Sequence, residues 1–342
     1  MAVQTLLLLT SFALAALLGF AAHRASICTV KAVEEVLTTR RAFMLVSFAK
    51  TALWVMAVTA LLLWALPEAP ANLTGWQASF HGLAGGLIFG MGAVFNKGCA
   101  FSTLTRLGGG QLSMLVSLAG FVLGVMANSL LDSPVLAPAS LTADTQIAEA
   151  GVWPRLVLAA LLLWGLWEAW RLWHSRPAGQ GLWALALADR YRLSTAAFLL
   201  GVSNAVLYAL HGSWAYTSTL TRGVEQAMGA AVQLAPIAWL LFFFLVAGMV
   251  ASAWQRRSFR LQWRPRRGWA SYLVGGTFMG FGAAMVPGGN DVLILHGIPA
   301  LSPHALPAYL AMLAGIAIAL LVMRLIGASL ETIDFSGDIC RV

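Results

Sequence analysis

Long apolar runs alternate with short polar connections along the whole chain, the pattern of a bundle of membrane helices. Nine stretches are predominantly apolar, near 5–22, 44–66, 79–97, 110–131, 153–171, 193–211, 233–254, 269–287 and 305–325. Each approaches the ~20 residues that cross a hydrocarbon core as a helix. No run between them is long enough for a separate soluble domain. The pattern predicts an all-α integral membrane protein, a single membrane domain over 1–342 with about nine transmembrane helices. The first run is not expected to be a signal peptide: no basic segment precedes it, and its apolar stretch, 5–22, is longer than a usual signal core.

Two segments 190 residues apart look alike. Residues 85–98 read GGLIFGMGAVFNKG and residues 275–288 read GGTFMGFGAAMVPG. Without a gap, Gly85, Gly86, Gly90, Gly92, Ala93 and Gly98 fall on Gly275, Gly276, Gly280, Gly282, Ala283 and Gly288. Each copy starts as a glycine-striped helix and ends in a small-residue break. The same offset carries the first four apolar runs onto the last four, Cys28-Thr29 onto Ser218-Thr219, and Glu35 onto Glu225. The fifth run and its tail, 153–192, remain as a connector between repeat half 5–131 and repeat half 193–325. Four runs plus one is an odd number, so the second half enters the membrane upside down. An inverted-topology internal repeat with a pseudo-two-fold axis in the membrane plane, carrying short broken or re-entrant half-helices, is a transporter architecture.

Composition agrees with this reading. The chain is 60% hydrophobic and only 10% charged, with a mean hydropathy of +0.80, where a soluble domain carries about 25% charged residues. The net charge of +8 does not point to nucleic acid, because the basic residues sit in alternate loops. Arg24, Lys31, Arg40 and Arg41 lie in one; Arg176, Arg190 and Arg192 in the next; Arg256, Arg257, Arg260, Arg264, Arg266 and Arg267 in a third. The intervening loops carry Glu68, Asp132, Asp144, Glu149 and Asp291, and no Lys or Arg. By the positive-inside rule the N-terminus is outside and the C-terminus cytoplasmic.

Four breaks are placed to meet near the midplane: Ser26–Thr29, Lys97–Ala100, Trp214–Thr219 and Pro287–Asp291. Irregular backbone survives at membrane depth only where protein buries it or where it lines a cavity. The free N–H groups of a half-helix that follows such a break attract anions. Cys28 and Cys99 each stand at a break, where a thiol can donate a weak hydrogen bond to a soft anion or react as a thiolate. Each taken alone reads as a small buried hydrophobe; their placement at the breaks favours function. Cys340, near the C-terminus, is read as incidental. Three cysteines are too few for a disulfide framework. No metal-ligand spacing, phosphate-cradling loop or CxxC occurs, and no cofactor is expected. Lys97, Arg106 and Arg24 flank the breaks and, like Lys50 and Arg324, are expected to snorkel to the interface. Asp291 and His296 are placed to face the outer water or to serve as intramembrane ionisable groups.

RASICTVKAVEEV, GGLIFGMGAVFNKGCAFSTLTRLGGG and PGGNDVLILHGIPALS together resemble the YeeE/YedE sulfur-transport family, whose best-known members are bacterial thiosulfate permeases. The resemblance implies nine spans, an internal pseudo-two-fold and an hourglass shape. It also implies passage of thiosulfate between cysteines of a narrow centre, largely by S–H hydrogen bonds. Two family cysteines carry over, as Cys28 and Cys99. The third would follow the paired glycines Gly288-Gly289, and there this chain has Asn290.

The expected function is therefore an inner-membrane permease, not an enzyme, for a small sulfur-containing anion such as thiosulfate. Its expected substrate-binding residues are Cys28, Thr29, Gly98, Cys99, Ser218, Gly289 and Asn290. The alternatives are a membrane sulfur-relay protein that hands sulfane sulfur to a soluble cytoplasmic sulfur-carrier protein, and a structural subunit of a larger complex. Topology has a direct check. Reporter fusions after Ala71 and after Arg260 will report opposite sides of the membrane, Ala71 outside; the same side for both would overturn the nine-span arrangement.

Overall fold

A computed structural model of the chain describes residues 2–65, 75–131, 152–175, 187–230, 232, 234–262, 268–327, 334–336 and 339–341. Over these residues the protein is helical, apart from a short antiparallel hairpin in which Asp334–Ser336 pairs with Ile339–Arg341. The helices are α1 (Ala2–Ala25), α2 (Thr29–Thr39), α3 (Phe43–Ala65), α4 (Phe80–Phe95), α5 (Ala100–Gly108), α6 (Met114–Leu130) and α7 (Val152–His174). After them come α8 (Leu193–His211), α9 (Tyr216–Ala227), α10 (Pro236–Gln255), α11 (Trp269–Met285), α12 (Asn290–Val292, extended by a wide turn to Gly297) and α13 (Ala305–Leu325). Glu68, Ala71, Asp132, Asp144, Glu149, Arg176, Arg264, Arg266 and Arg267 lie outside the described residues.

Seven helical segments among the described residues are long and apolar enough to cross a membrane, or eight if α11 and α12, bent by 46°, count as one. Three of the seven, Gln4–Thr39, Phe80–Gly108 and Leu193–Ala227, run through a break and join a long helix to a short one. The run expected to span 110–131 yields a shorter helix of 17 residues. Its first residues are held in turns, with Gly110 accepting the Gln262 N–H at 2.9 Å and Gln111 bridged to Gln262.

Four helices make the centre: α4 against α11 and α13, and α11 against α6. Helix pairs α1–α10, α3–α8 and α1–α8 flank them, and α7 packs on α3. Glycine sets the spacing of the centre. A Cβ at Gly280 would run into the Phe121 carbonyl of α6, and one at Gly276 into that of Ser117. On α4, a Cβ at Gly86 would meet the carbonyl of Ala308, and one at Gly90 that of Met312. Between α4 and α11 the contacts are reciprocal and antiparallel: Gly85 lies on Gly282, and Gly92 on Gly275. Without Cβ atoms, backbones approach to van der Waals distance, which drives helix association where lipid removes the hydrophobic gain. The outward positions of the flanking helices, such as Leu6, Leu9 and Phe243, are exposed apolar side chains suited to lipid.

The charges do not all behave as the sequence suggests. Lys50 is paired: its Nζ lies 2.8 Å from Glu168 Oε1 of α7 and 3.0 Å from Ser194 Oγ. Arg171 joins the same carboxylate at 2.6 Å. Arg24 is buried, donating to the Ala188 carbonyl and to Gln255, with its guanidinium 4.3 Å over the Phe20 ring. A cation inside a bundle needs such partners, because an unpaired one is expensive there.

The glycine contacts carry a stability prediction. Gly280→Ala will force α6 and α11 apart and cost about 1–3 kcal/mol, read as a lower yield of monodisperse protein and a lower unfolding midpoint in detergent. Gly268→Ala, where a new Cβ meets only ordinary contacts near Tyr272, will leave both unchanged.

Candidate functional site

Two helix ends shape the breaks at residue level. At the end of α4 the Gly98 N–H donates to Ala93 O at 2.9 Å and the Lys97 N–H to Val94 O at 2.9 Å, with Lys97 in the left-handed region (φ 57°). This is a Schellman closure. At the end of α11, Gly288 (φ 138°) donates in the same way to Ala283 O at 2.8 Å. The left-handed residue at the first closure is a lysine. Arg106 braces the carbonyls exposed there, reaching Asn96 O at 3.5 Å and Lys97 O at 3.4 Å, and it also donates to the Tyr272 hydroxyl at 3.2 Å. Arg106 thus works as a clamp between α5, the α4 end and α11, while Lys97 itself is exposed. The Asn96 amide donates to Gly98 O and to Thr103 Oγ1, each at 2.8 Å, and ties the break to the first turn of α5.

Cys28 caps the start of α2 and Cys99 caps the start of α5. The two caps exchange partners. The Thr29 N–H donates to Cys99 Sγ at 3.5 Å, and the Cys99 N–H donates to Cys28 Sγ at 3.5 Å. The sulfur atoms adjoin, and each is buried to 1% exposure. A third sulfur, Met44 Sδ, accepts the Cys28 N–H at 3.5 Å. Asn290 completes the cluster: its Nδ2 donates to Thr29 Oγ1 at 3.1 Å, and its buried Oδ1 has no partner. The Cys28-Thr29 pair, Cys99 and Asn290, far apart in sequence, thus form one hydrogen-bonded chain.

The remaining candidates divide. Gly98 and Gly289 lie at the breaks, Gly98 over Ser102 and Gly289 against Thr217 and the Phe89 ring. Gly289 is the N-cap of α12, the position that Cys99 holds on α5, so Asn290 stands one residue further along. Ser218 does not join the cysteines. Helix α9 begins at Tyr216, earlier than the repeat register implies, so Ser218 lies inside it and its hydroxyl donates to Ala215 O at 2.7 Å.

Asp291 and His296 do not face water. Both are buried. The Asp291 carboxylate accepts the Thr217 N–H at 3.1 Å and the Thr217 hydroxyl at 2.5 Å, while Thr217 Oγ1 in turn accepts the Gly289 N–H at 2.8 Å. This clamp joins the α8–α9 break to the α11–α12 break, and sequence reading did not single it out. A buried acid beside a glycine break was its only signal. His296 stacks on Tyr208 at 4.5 Å and pairs with Ser213 at 3.2 Å. Glu35 spends its carboxylate on the N–H groups of Phe43 and Met44, both at 3.0 Å, and so caps α3.

Among the described residues no group of His, Cys, Asp and Glu is placed to hold a metal. What the cluster offers is soft acceptors, short donors and the N-termini of two half-helices of 11 and 9 residues. Such N-termini favour negative charge. No curated protein matches the chain. The profile described as Sulphur transport matches residues 24–318, nearly the whole chain, and the protein belongs to this family of multi-pass sulfur transporters.

Proposed function

We propose that the protein is a permease that passes a small sulfur-containing anion, thiosulfate or a related sulfur oxyanion, through the Cys28–Cys99–Asn290 cluster without changing it chemically. The observation that carries this reading is the exchange of backbone donors between the two cysteines. Each thiol occupies the place an anion would take at the start of a half-helix, and an entering anion replaces one weak sulfur acceptor with a strong one. Thiols remain beside it as soft S–H donors. The unpartnered Asn290 Oδ1 and the Thr29 hydroxyl supply the polar edge of the passage.

The inverted repeat belongs to this proposal. It is supported by the reciprocal glycine contacts and by the paired packing of α2 on α13 and α9 on α6. In this reading the halves close on one another around the cluster, the N-terminus lies outside, the C-terminus is cytoplasmic, and the host membrane is a bacterial inner membrane. The relay alternative, with transfer to a soluble carrier, calls for an accessible low-pKa thiolate, and the burial of both cysteines speaks against it.

Uptake measurements in whole cells test the site. Cys99→Ala will abolish uptake of the sulfur anion per folded protein in the membrane; because it also takes the acceptor from the buried Thr29 N–H, at a cost of about 1–3 kcal/mol, folded protein is quantified alongside uptake. Cys340→Ala will be silent. Unchanged uptake in Cys99→Ala would remove the cysteine from the mechanism.

Asn290→Cys probes selectivity. Restoring a thiol will raise thiosulfate uptake relative to other sulfur oxyanions, and an unmoved preference would exclude Asn290 as a selectivity residue. Alkylation at neutral pH separates transport from relay: Cys28 and Cys99 will resist a maleimide that modifies the denatured protein, whereas rapid labelling of either in the folded state would favour the relay.

A further inference from the structure

Away from the cysteine cluster, a cavity of about 500 Å³ opens where the start of α3, the end of α7 and the start of α8 come together. Four cations line it: Arg41, Lys50, Arg171 and Arg192. The buried carboxylate of Glu168 answers two of them through a single oxygen, accepting Lys50 at 2.8 Å and Arg171 at 2.6 Å. Its other oxygen and the Arg171 Nε are buried without a partner. Arg192 is pinned by Ser175, donating to its carbonyl at 2.9 Å and its hydroxyl at 3.1 Å. Arg41 is exposed and has no acid within ion-pair distance among the described residues. The group carries an excess of positive charge, and the guanidinium fork matches a phosphate.

The depth and wall of the cavity identify the source of that phosphate. Phe43, Val46 and Leu172 supply apolar lining beside the cations. Trp167, Trp170 and Trp173 project from the same turns of α7 with 54%, 58% and 60% of their surface exposed. Tryptophan collects at the membrane–water interface, so the cavity lies at headgroup level with an apolar side toward the acyl chains. Basic pockets between helices at this depth bind anionic headgroups. Helix α7 packs mainly on α3, and an occupant here would touch α3, α7 and α8 at once.

We infer that this cavity binds the phosphodiester headgroup of an anionic phospholipid, which fastens the connector helix α7 to the two halves. The full chain, purified and delipidated in neutral detergent, is titrated with phosphatidylglycerol or phosphatidylcholine and read by native mass spectrometry. Phosphatidylglycerol will bind in clear preference. With each basic residue worth roughly a factor of five at a membrane surface, Arg41→Gln will weaken it about fivefold, and Arg41→Gln with Arg192→Gln about thirtyfold. Arg324→Gln, which is not among the residues that line the cavity, will have no effect. Equal binding of phosphatidylcholine, or an equal loss in Arg324→Gln, would overturn the assignment. Displacement of the lipid by millimolar inorganic phosphate or thiosulfate would also overturn it, in favour of a soluble-oxyanion site. Should the double variant fail to fold, the exposed Arg41 decides alone, and an unchanged affinity in Arg41→Gln would refute the site.

Discussion

A helix that stops within a membrane leaves N–H and C=O groups that no water reaches, and every break in this chain is organised around that constraint. The carbonyl ends are closed from within, by a Schellman turn at Gly98, by the single Gly288 N–H bond to Ala283 O and by the Arg106 guanidinium. The amide ends are closed from outside. Sulfur does this at α2 and α5, where the Cys99 thiol accepts the Thr29 N–H and the Cys28 thiol accepts the Cys99 N–H. At the fourth break the acceptor is the Thr217 hydroxyl, itself held by Asp291. Unsatisfied groups of this kind cost several kcal/mol in hydrocarbon (roughly 2–7). The acceptors placed here are therefore part of the fold before they are part of any transport step.

This has a consequence for the site. Thiol sulfur is a weak acceptor, and at 3.5 Å it satisfies an amide less completely than an oxygen would. Structure and binding then draw on the same groups. In the permease reading proposed above, an N–H donor that a cysteine holds is released to the anion, whose oxygen accepts more strongly than sulfur. The Asp291–Thr217 clamp is built from strong acceptors, and its donors are already fully engaged.

Close packing makes the convergence possible. Breaks from α1, α4 and α11 reach one another only because the central helices nearly touch, and the glycines of α4 and α11 permit that approach. Charge is managed in the same spirit. Glu35 is consumed in capping α3, and Glu168 in holding Lys50 and Arg171. Arg24 is enclosed by carbonyl, amide and aromatic partners. Each of these residues has at least one partner on another segment of the chain.

Much of this was legible in the amino-acid order. Apolar runs announce membrane helices because every residue facing lipid must be apolar, and the glycine stripe with its small-residue stop marked the ends of α4 and α11. Those are local signals, read over a few turns of one helix. The pairing of Cys28 with Cys99, across 71 residues, is not local, nor are the links from Asn290 to Thr29 and from Asp291 to Thr217. Only the docking of helix upon helix decides which breaks share a space. The register argument failed at Ser218 for the same reason: α9 starts earlier than α2, and a helix start depends on what the preceding loop packs against. Whether Asp291 and His296 face water stayed open in the sequence, because burial of a polar group is set by the presence of a partner, and their partners stand on other segments.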